Sequence, residues 1–304
     1  METERASPRF SDIDLWEPKD VLEALIESQM TAVAAVRSAL PAIESAALAM
    51  EIRLKGGGRL IYAGAGTSGR LAVQDGAELV PTFNWPRDRL LLLMAGGRDA
   101  VLQSVEGAED DVSAAEAQVR QHSIGQLDVM IAVAASGATA FTVACLREAK
   151  ARGALAVGVA NNQATPLLLE ADHPIWLDTG AEPVAGSTRM KAGTAQRVAL
   201  NLLSTLAMIR LGRVHQGLMV DVQAINAKLV ARSERIVQRL TGRSADDVRD
   251  VLQRAGGNIK IAVLLLQGVT AENAAALIAQ ADGRLRTALE LAAAAGPPAP
   301  PAKR

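Results

Sequence analysis

Short apolar runs, each closed by glycine or a small polar residue, recur along the first two thirds of the chain. Arg59 to Ala63 (RLIYA) follows three glycines and leads through a loop into a helix beginning near Ser68. RLLLLMAGG (89–97) precedes a helical stretch from about Asp99 to His122, and LDVMIAVAASG (127–137) precedes one from about Ala140 to Arg152. GALAVGVANN (153–162) and HPIWLDTG (173–180) read as two further strands, and a long helix spans about Met190 to Leu211. Strands that are apolar throughout, alternating with amphipathic helices, predict an α/β fold: a doubly wound parallel sheet flanked by helices. In such sheets ligands sit in the loops at the carboxyl ends of the strands.

The chain before Arg59 is helical in pattern, and Val222, Ile225, Leu229, Ile236 and Leu240 fall on one face of a later helix. From Ser244 to about Asp282 the spacing shrinks to three short helices, the first opened by a capping-box-like Ser244-x-x-Asp247. The expected organisation is a sheet domain over 1–240, including the N-terminal helices, a small three-helix domain over 241–292, and a disordered tail over 293–304 that ends GPPAPPAKR.

Composition narrows the function. With 304 residues, 49% of them hydrophobic, the chain can bury a core as one large or two modest domains. Lys+Arg 32 against Asp+Glu 33 leaves a net charge of -1, so no global field draws it to nucleic acid or a membrane. Cys145 is the only cysteine, which excludes an internal disulfide, and its neighbours place it on the buried face of a helix. The run Val129 to Leu146 is long enough to suggest a membrane span, but Ser136, Gly137 and Thr139 divide it into strand, turn and helix. The first residues are charged and lack an apolar core segment, so no signal peptide is expected and the cytoplasm is the default.

Gly64, Gly66 and Gly69 spell G-x-G-x-x-G, a dinucleotide-binding pattern when it joins strand to helix. Such a site also needs an acid at the end of the second strand, where this chain has Ala95, Gly96, Gly97 and Arg98. Arg98 leaves only a 2′-phosphate to be considered. Thr67 and Ser68 instead join two other hydroxyl-rich loops, SGAT (136–139) and GSTRMKAGT (186–194). Each loop read alone suits an ordinary helix N-cap; the three together, with Arg189 and Lys191 nearby, suit a cradle for one phosphate. Glu182 is a strand-end carboxylate suited either to a sugar hydroxyl or to a structural role. Lys191 suits either a substrate anion or plain solvent. His122, His173 and His215 show no ligand spacing, so no metal and no cofactor is implied.

GAGTSGRL, AASGAT and above all GSTRMKAGTAQ, followed by NLLSTLAMIRLGRVHQGLMVDV, resemble the sugar isomerase (SIS) superfamily and, within it, the N-acetylmuramic acid 6-phosphate etherases. The resemblance runs from about Ser11 to Leu291. It implies a lyase that removes the D-lactyl ether from that amino sugar during peptidoglycan recycling, working as a homodimer whose sites are completed by both subunits. It implies a C-terminal helical domain similar to ubiquitin-associated domains. It also maps the family's catalytic glutamates onto Glu78, as general acid, and Glu109, as general base. The loop chemistry read above gives the candidate substrate-binding residues: Gly66, Thr67, Ser68, Ser136, Gly137, Thr139, Glu182, Ser187, Thr188 and Lys191. An acid protonated near neutral pH needs burial or a like-charged neighbour. Glu106, three residues before Glu109 on the expected helix, is the residue most easily confused with it.

The chain departs from the family at Val80, before Pro81, where a second proline is usual, at His215, where an aromatic residue is usual, and after Thr3-Glu4, which no asparagine follows at the usual place. The alternatives are an SIS-type sugar-phosphate isomerase, which uses the same phosphate loops to move a proton between C1 and C2, and a non-catalytic sugar-phosphate sensor similar to the glucokinase regulatory protein, which needs the hydroxyl loops but not both glutamates.

Overall fold

The computed structural model describes residues 1–222 and 227–294. Helices α1 (Pro18–Ser38) and α2 (Leu40–Lys55) lead into β1 (Leu60–Gly64), α3 (Gly66–Phe83), β2 (Leu90–Met94), α4 (Val112–Gln121) and β3 (Val129–Val133). Next come α5 (Ala140–Ala151), β4 (Leu155–Ala160), α6 (Pro166–Glu170), β5 (His173–Trp176) and α7 (Lys191–Arg210). The five strands form one parallel sheet in the order β2-β1-β3-β4-β5. Gly64 is level with Met94 of β2 and Val133 of β3. The strand order therefore reverses between β1 and β3, where the loops at 65–68 and 134–139 leave the sheet side by side.

β1, β3 and β4 are buried along their whole length, as strands covered on both faces should be. One face packs Ile61, Met130, Ala132 and Ala156 against Val119 of α4, Phe141, Cys145 and Leu146 of α5, and Leu167 of α6. Burial pushes the Cys145 thiol up to about 12. On the other face the Tyr62 hydroxyl donates to Asp75 of α3 at 2.9 Å, and Arg197 of α7 donates to the same carboxylate at 3.1 Å. Burial raises the Asp75 carboxyl above its ordinary value despite these partners. At the amino edge Asp128 accepts from the Arg59 amide (2.9 Å), the Arg59 guanidinium (2.6 Å) and the Gly125 amide (2.9 Å), clamping the start of β1 to the start of β3. Burial alone would raise the Asp128 carboxyl, but these hydrogen bonds outweigh it and hold the group below its ordinary value.

The continuous helix expected from Asp99 to His122 is not formed. Two single 3-10 turns, Asp99–Val101 and Ala108–Asp110, precede α4. Gly96, Gly97 and Gly107 adopt left-handed conformations, and Arg70 Nε holds the carbonyls of Ala100 and Val101 at 3.1 Å, so the segment is a loop tied to α3. Glu106 and Glu109 accordingly share no helix.

A second compact unit takes in Glu78–Pro86 and the chain from Met208. It holds a short hairpin, β6 (Val214–His215) and β7 (Leu218–Met219), then α8 (Ala227–Thr241), α9 (Ala245–Arg254), α10 (Ile259–Leu266), α11 (Ala271–Gln280) and α12 (Leu285–Ala294). Leu229, Ile236 and Val237 of α8 share one core with Val248, Leu252, Ile259, Val263 and Leu285, which carries the packed unit back beyond the 240/241 boundary suggested by helix spacing. Buried Lys260 donates to Asp221 at 2.6 Å and to the Gly283 carbonyl at 2.7 Å. Ser244 caps α9, accepting from the Asp247 amide at 3.2 Å and donating to its carboxylate at 2.8 Å. The helix α12 follows the three helices read from the pattern. Ile225 and residues 295–304 lie outside the described residues.

Candidate functional site

The turn from β1 to α3 answers the question of the three glycines. A Cβ at Gly64 would stand 2.8 Å from the Gly69 Cα, and one at Gly69 would stand 2.4 Å from the Met94 sulfur. Gly64 and Gly69 are thus required by contact between strand and helix, whatever the loop binds. Between them Gly66 is left-handed with open space beside it, Thr67 is half-buried and Ser68 is buried in the first turn of α3.

Beside this turn, the loop after β3 folds on its own hydroxyls. Ser136 Oγ accepts from the Ala138 amide at 3.1 Å and lies 3.2 Å from Thr139 Oγ1. Thr139 stands at the N-cap of α5, but its side chain makes no cap hydrogen bond, so the first amides of that helix are not closed off. Gly137 is left-handed, and a Cβ there would fall 2.1 Å from Thr165 Oγ1. That buried hydroxyl has no hydrogen-bond partner among the described residues.

The third loop differs. Glu182 is fully buried, and its two oxygens accept from the first amides of α7, Lys191 and Ala192, at 2.9 Å each. The negative charge sits on the positive end of the helix dipole, a capping role. Lys191 is buried as well and donates to the Thr179 carbonyl at 2.6 Å. Burial lowers its pKa, while Glu182 and Asp178 act in the opposite direction. Ser187 and Thr188 are half-buried, and Arg189 is exposed.

Behind these loops lies a layer of buried amides. Gln196 donates to Asn161 at 2.9 Å, Asn161 to Thr179 Oγ1 at 3.2 Å, and Asn162 to the Ala135 carbonyl at 2.9 Å. Asn162 also donates to Thr3 Oγ1 at 2.9 Å, drawing the Glu2–Glu4 turn onto the carboxyl edge of the sheet. Thr3 is marked in the sequence only as part of the Thr3-Glu4 pair, and Asn162 and Thr165 only by their place in ANNQAT, which runs from the end of β4 as the other polar loops run from theirs. Glu78, on α3, and Glu109, in the 3-10 turn after Gly107, are both exposed, as is Glu106.

These features can be set beside known proteins. Residues 42–150 match the model for the glucokinase regulatory protein N-terminal SIS domain, and residues 101–206 match the SIS domain model. An N-acetylmuramic acid 6-phosphate etherase of Deinococcus radiodurans is 49% identical over 94% of this chain and 94% of its own length. One from Streptomyces coelicolor is 44% identical over 96% of this chain and 94% of its own. Among solved structures, a phosphoheptose isomerase from Francisella tularensis is 20% identical, covers 64% of this chain and 98% of its own, and has a TM-score of 0.47. Identity of this order over nearly the full length of both chains shows that the protein belongs to the N-acetylmuramic acid 6-phosphate etherase family of SIS proteins.

Proposed function

We propose that the protein cleaves the D-lactyl ether of N-acetylmuramic acid 6-phosphate, releasing D-lactate and N-acetylglucosamine 6-phosphate. The observation that carries this reading is the near-full-length identity to etherases, joined to hydroxyl loops at a strand-order reversal. The substrate phosphate lies on the loops at 66–68 and 136–139, where the first turn of α5 is uncapped by a side chain and small hydroxyls supply donors. The third loop, with its helix end neutralised by Glu182, faces the uncharged part of the sugar.

With the ring open, the C1 aldehyde acidifies the C2 proton. Glu109 takes that proton, the C3–O bond breaks, and Glu78 protonates the departing lactyl oxygen. Water then adds across C2=C3, giving the C3 hydroxyl and returning a proton to C2. Both glutamates are exposed within their own chain, open to substrate and to a second copy of the chain. A homodimer fits the exposed apolar stripe of Leu22, Ile26, Met30 and Val33 along α1. Phosphorylated sugars do not cross bilayers unaided, which fits a cytoplasmic setting, and no single helix among the described residues is long and apolar enough to span one.

The test is D-lactate release by the parent protein, Glu78→Gln and Glu109→Gln side by side. Release by the parent that drops about 100-fold or more in each variant is expected of an acid and a base. Binding of the sugar phosphate without lactate release would overturn the etherase reading in favour of an isomerase or a sensor.

A further inference from the structure

Most residues ahead of α1 are exposed, yet Thr3 is 0% exposed. All of its polar groups are engaged. Its amide donates to Asn162 Oδ1 at 3.3 Å, its Oγ1 accepts from Asn162 Nδ2 at 2.9 Å, and its carbonyl accepts from the Gly186 amide at 3.2 Å. Asn162, itself buried, donates with the same Nδ2 to Ala135, the residue before Ser136, while Gly186 is the residue before Ser187. One threonine therefore joins the loops after β3, β4 and β5 at the edge where ligands of such sheets bind. The next residue is carried along: a Cβ placed on Gly186 would stand 3.0 Å from Glu4 Oε2.

We propose that Glu4 contacts the substrate, its carboxylate accepting hydrogen bonds from hydroxyl or amide N–H donors of the amino sugar, and that Thr3 and Asn162 are the positioning residues that hold it there. The chemistry follows from the setting. An ionised carboxylate only accepts, so it selects neutral donors and repels a phosphate. It stands beside the loop whose helix end already carries Glu182, the loop least suited to an anion. Glu4 also makes no ion pair among the described residues, so its oxygens are not committed elsewhere. This inference rests on the sugar-phosphate reading above, and its test separates the two.

Calorimetric titration with N-acetylglucosamine 6-phosphate and, separately, with inorganic phosphate is run on the parent, Glu4→Ala, Thr3→Val and Thr3→Ser, with melting curves alongside. Losing a hydrogen bond to a charged group predicts sugar-phosphate binding weakened about tenfold or more in Glu4→Ala, with inorganic phosphate changed less than about twofold. Thr3→Val behaves like Glu4→Ala, and Thr3→Ser, which keeps the accepting oxygen, restores binding. Parent-like sugar-phosphate binding by Glu4→Ala overturns the proposal. So does equal weakening of both ligands, which marks a general disturbance of the loops. If the parent binds the sugar phosphate but frees no lactate, the etherase reading falls while the Glu4 comparison still decides this one; if it binds neither ligand, both fall.

Discussion

Removing the Glu182 carboxylate discriminates between the two roles its sequence position allowed. Both oxygens are engaged at 2.9 Å by the first amides of α7, and the residue is fully buried. Hydrogen bonds to a charged group contribute about 1.5–3 kcal/mol each, and breaking one partner of a buried charged set costs about 3–5 kcal/mol. Glu182→Ala should therefore destabilise by about 4 kcal/mol. Glu182→Gln, which keeps one accepting oxygen but turns an NH2 toward the other amide, should cost roughly half that. At about 2–4 °C per kcal/mol for a domain of this size, the alanine variant melts about 8–16 °C below the parent. Lys191 shifts with it, since Glu182 is the first group opposing the burial that lowers its pKa. Thermal melts followed by circular dichroism give the stability, and lactate release well below the transition gives KM for the molecules still folded. The capping argument fails if Glu182→Gln melts with the parent while its KM rises severalfold, since that pattern belongs to a substrate ligand.

Two further substitutions probe the frame of the site. Asp128 has its pKa below the ordinary 3.8, so its contribution is fully present above the unfolded value and is lost as pH falls through the lower folded value. Asp128→Asn should cost about 1–3 kcal/mol at neutral pH with KM unchanged, and urea melts should show the gap to the parent closing below about pH 4; a gap that persists in acid contradicts the clamp. Gly69→Ala places a methyl 2.4 Å from the Met94 sulfur and 2.7 Å from the Gly64 carbonyl carbon, which only backbone movement relieves. A loss of about 1–3 kcal/mol and weaker sugar-phosphate binding through the displaced 66–68 turn are expected, and parent-like melting and binding would show that the strand and helix do not need this contact.

The parallel sheet was legible because its strands are apolar on both faces and each ends in glycine or a hydroxyl, a pattern that amphipathic helices do not share. Lengths were read less well. The stretch from 99 to 122 has helical periodicity, but glycines at 96, 97 and 107 and the grip of Arg70 on two carbonyls stop a helix from nucleating before Val112. Periodicity counts side chains and is blind to which backbone groups another helix has claimed. The α8 face was visible as an apolar stripe, yet a stripe does not name its partner. Its partner is the C-terminal helices, which moves the packed unit back to Met208.

The three hydroxyl loops look alike in sequence and are not alike in charge. Spacing shows serines and threonines ahead of a helix, but not which carboxylate is folded against that helix end. At α5 no side chain among the described residues occupies the cap, whereas at α7 Glu182, nine residues before Lys191 along the chain, has turned back to occupy two amides. A phosphate brought to the third loop would have to displace or approach a buried negative charge, and would meet Glu4 beside Gly186. On the proposed reading the same hydroxyl chemistry serves opposite ends of one ligand, an anion at the first two loops and neutral hydroxyl and amide groups at the third. The asymmetry itself follows from where two carboxylates fold, Glu182 against the first amides of α7 and Glu4 beside Gly186, and it predicts that the cradle holds one phosphate in one orientation.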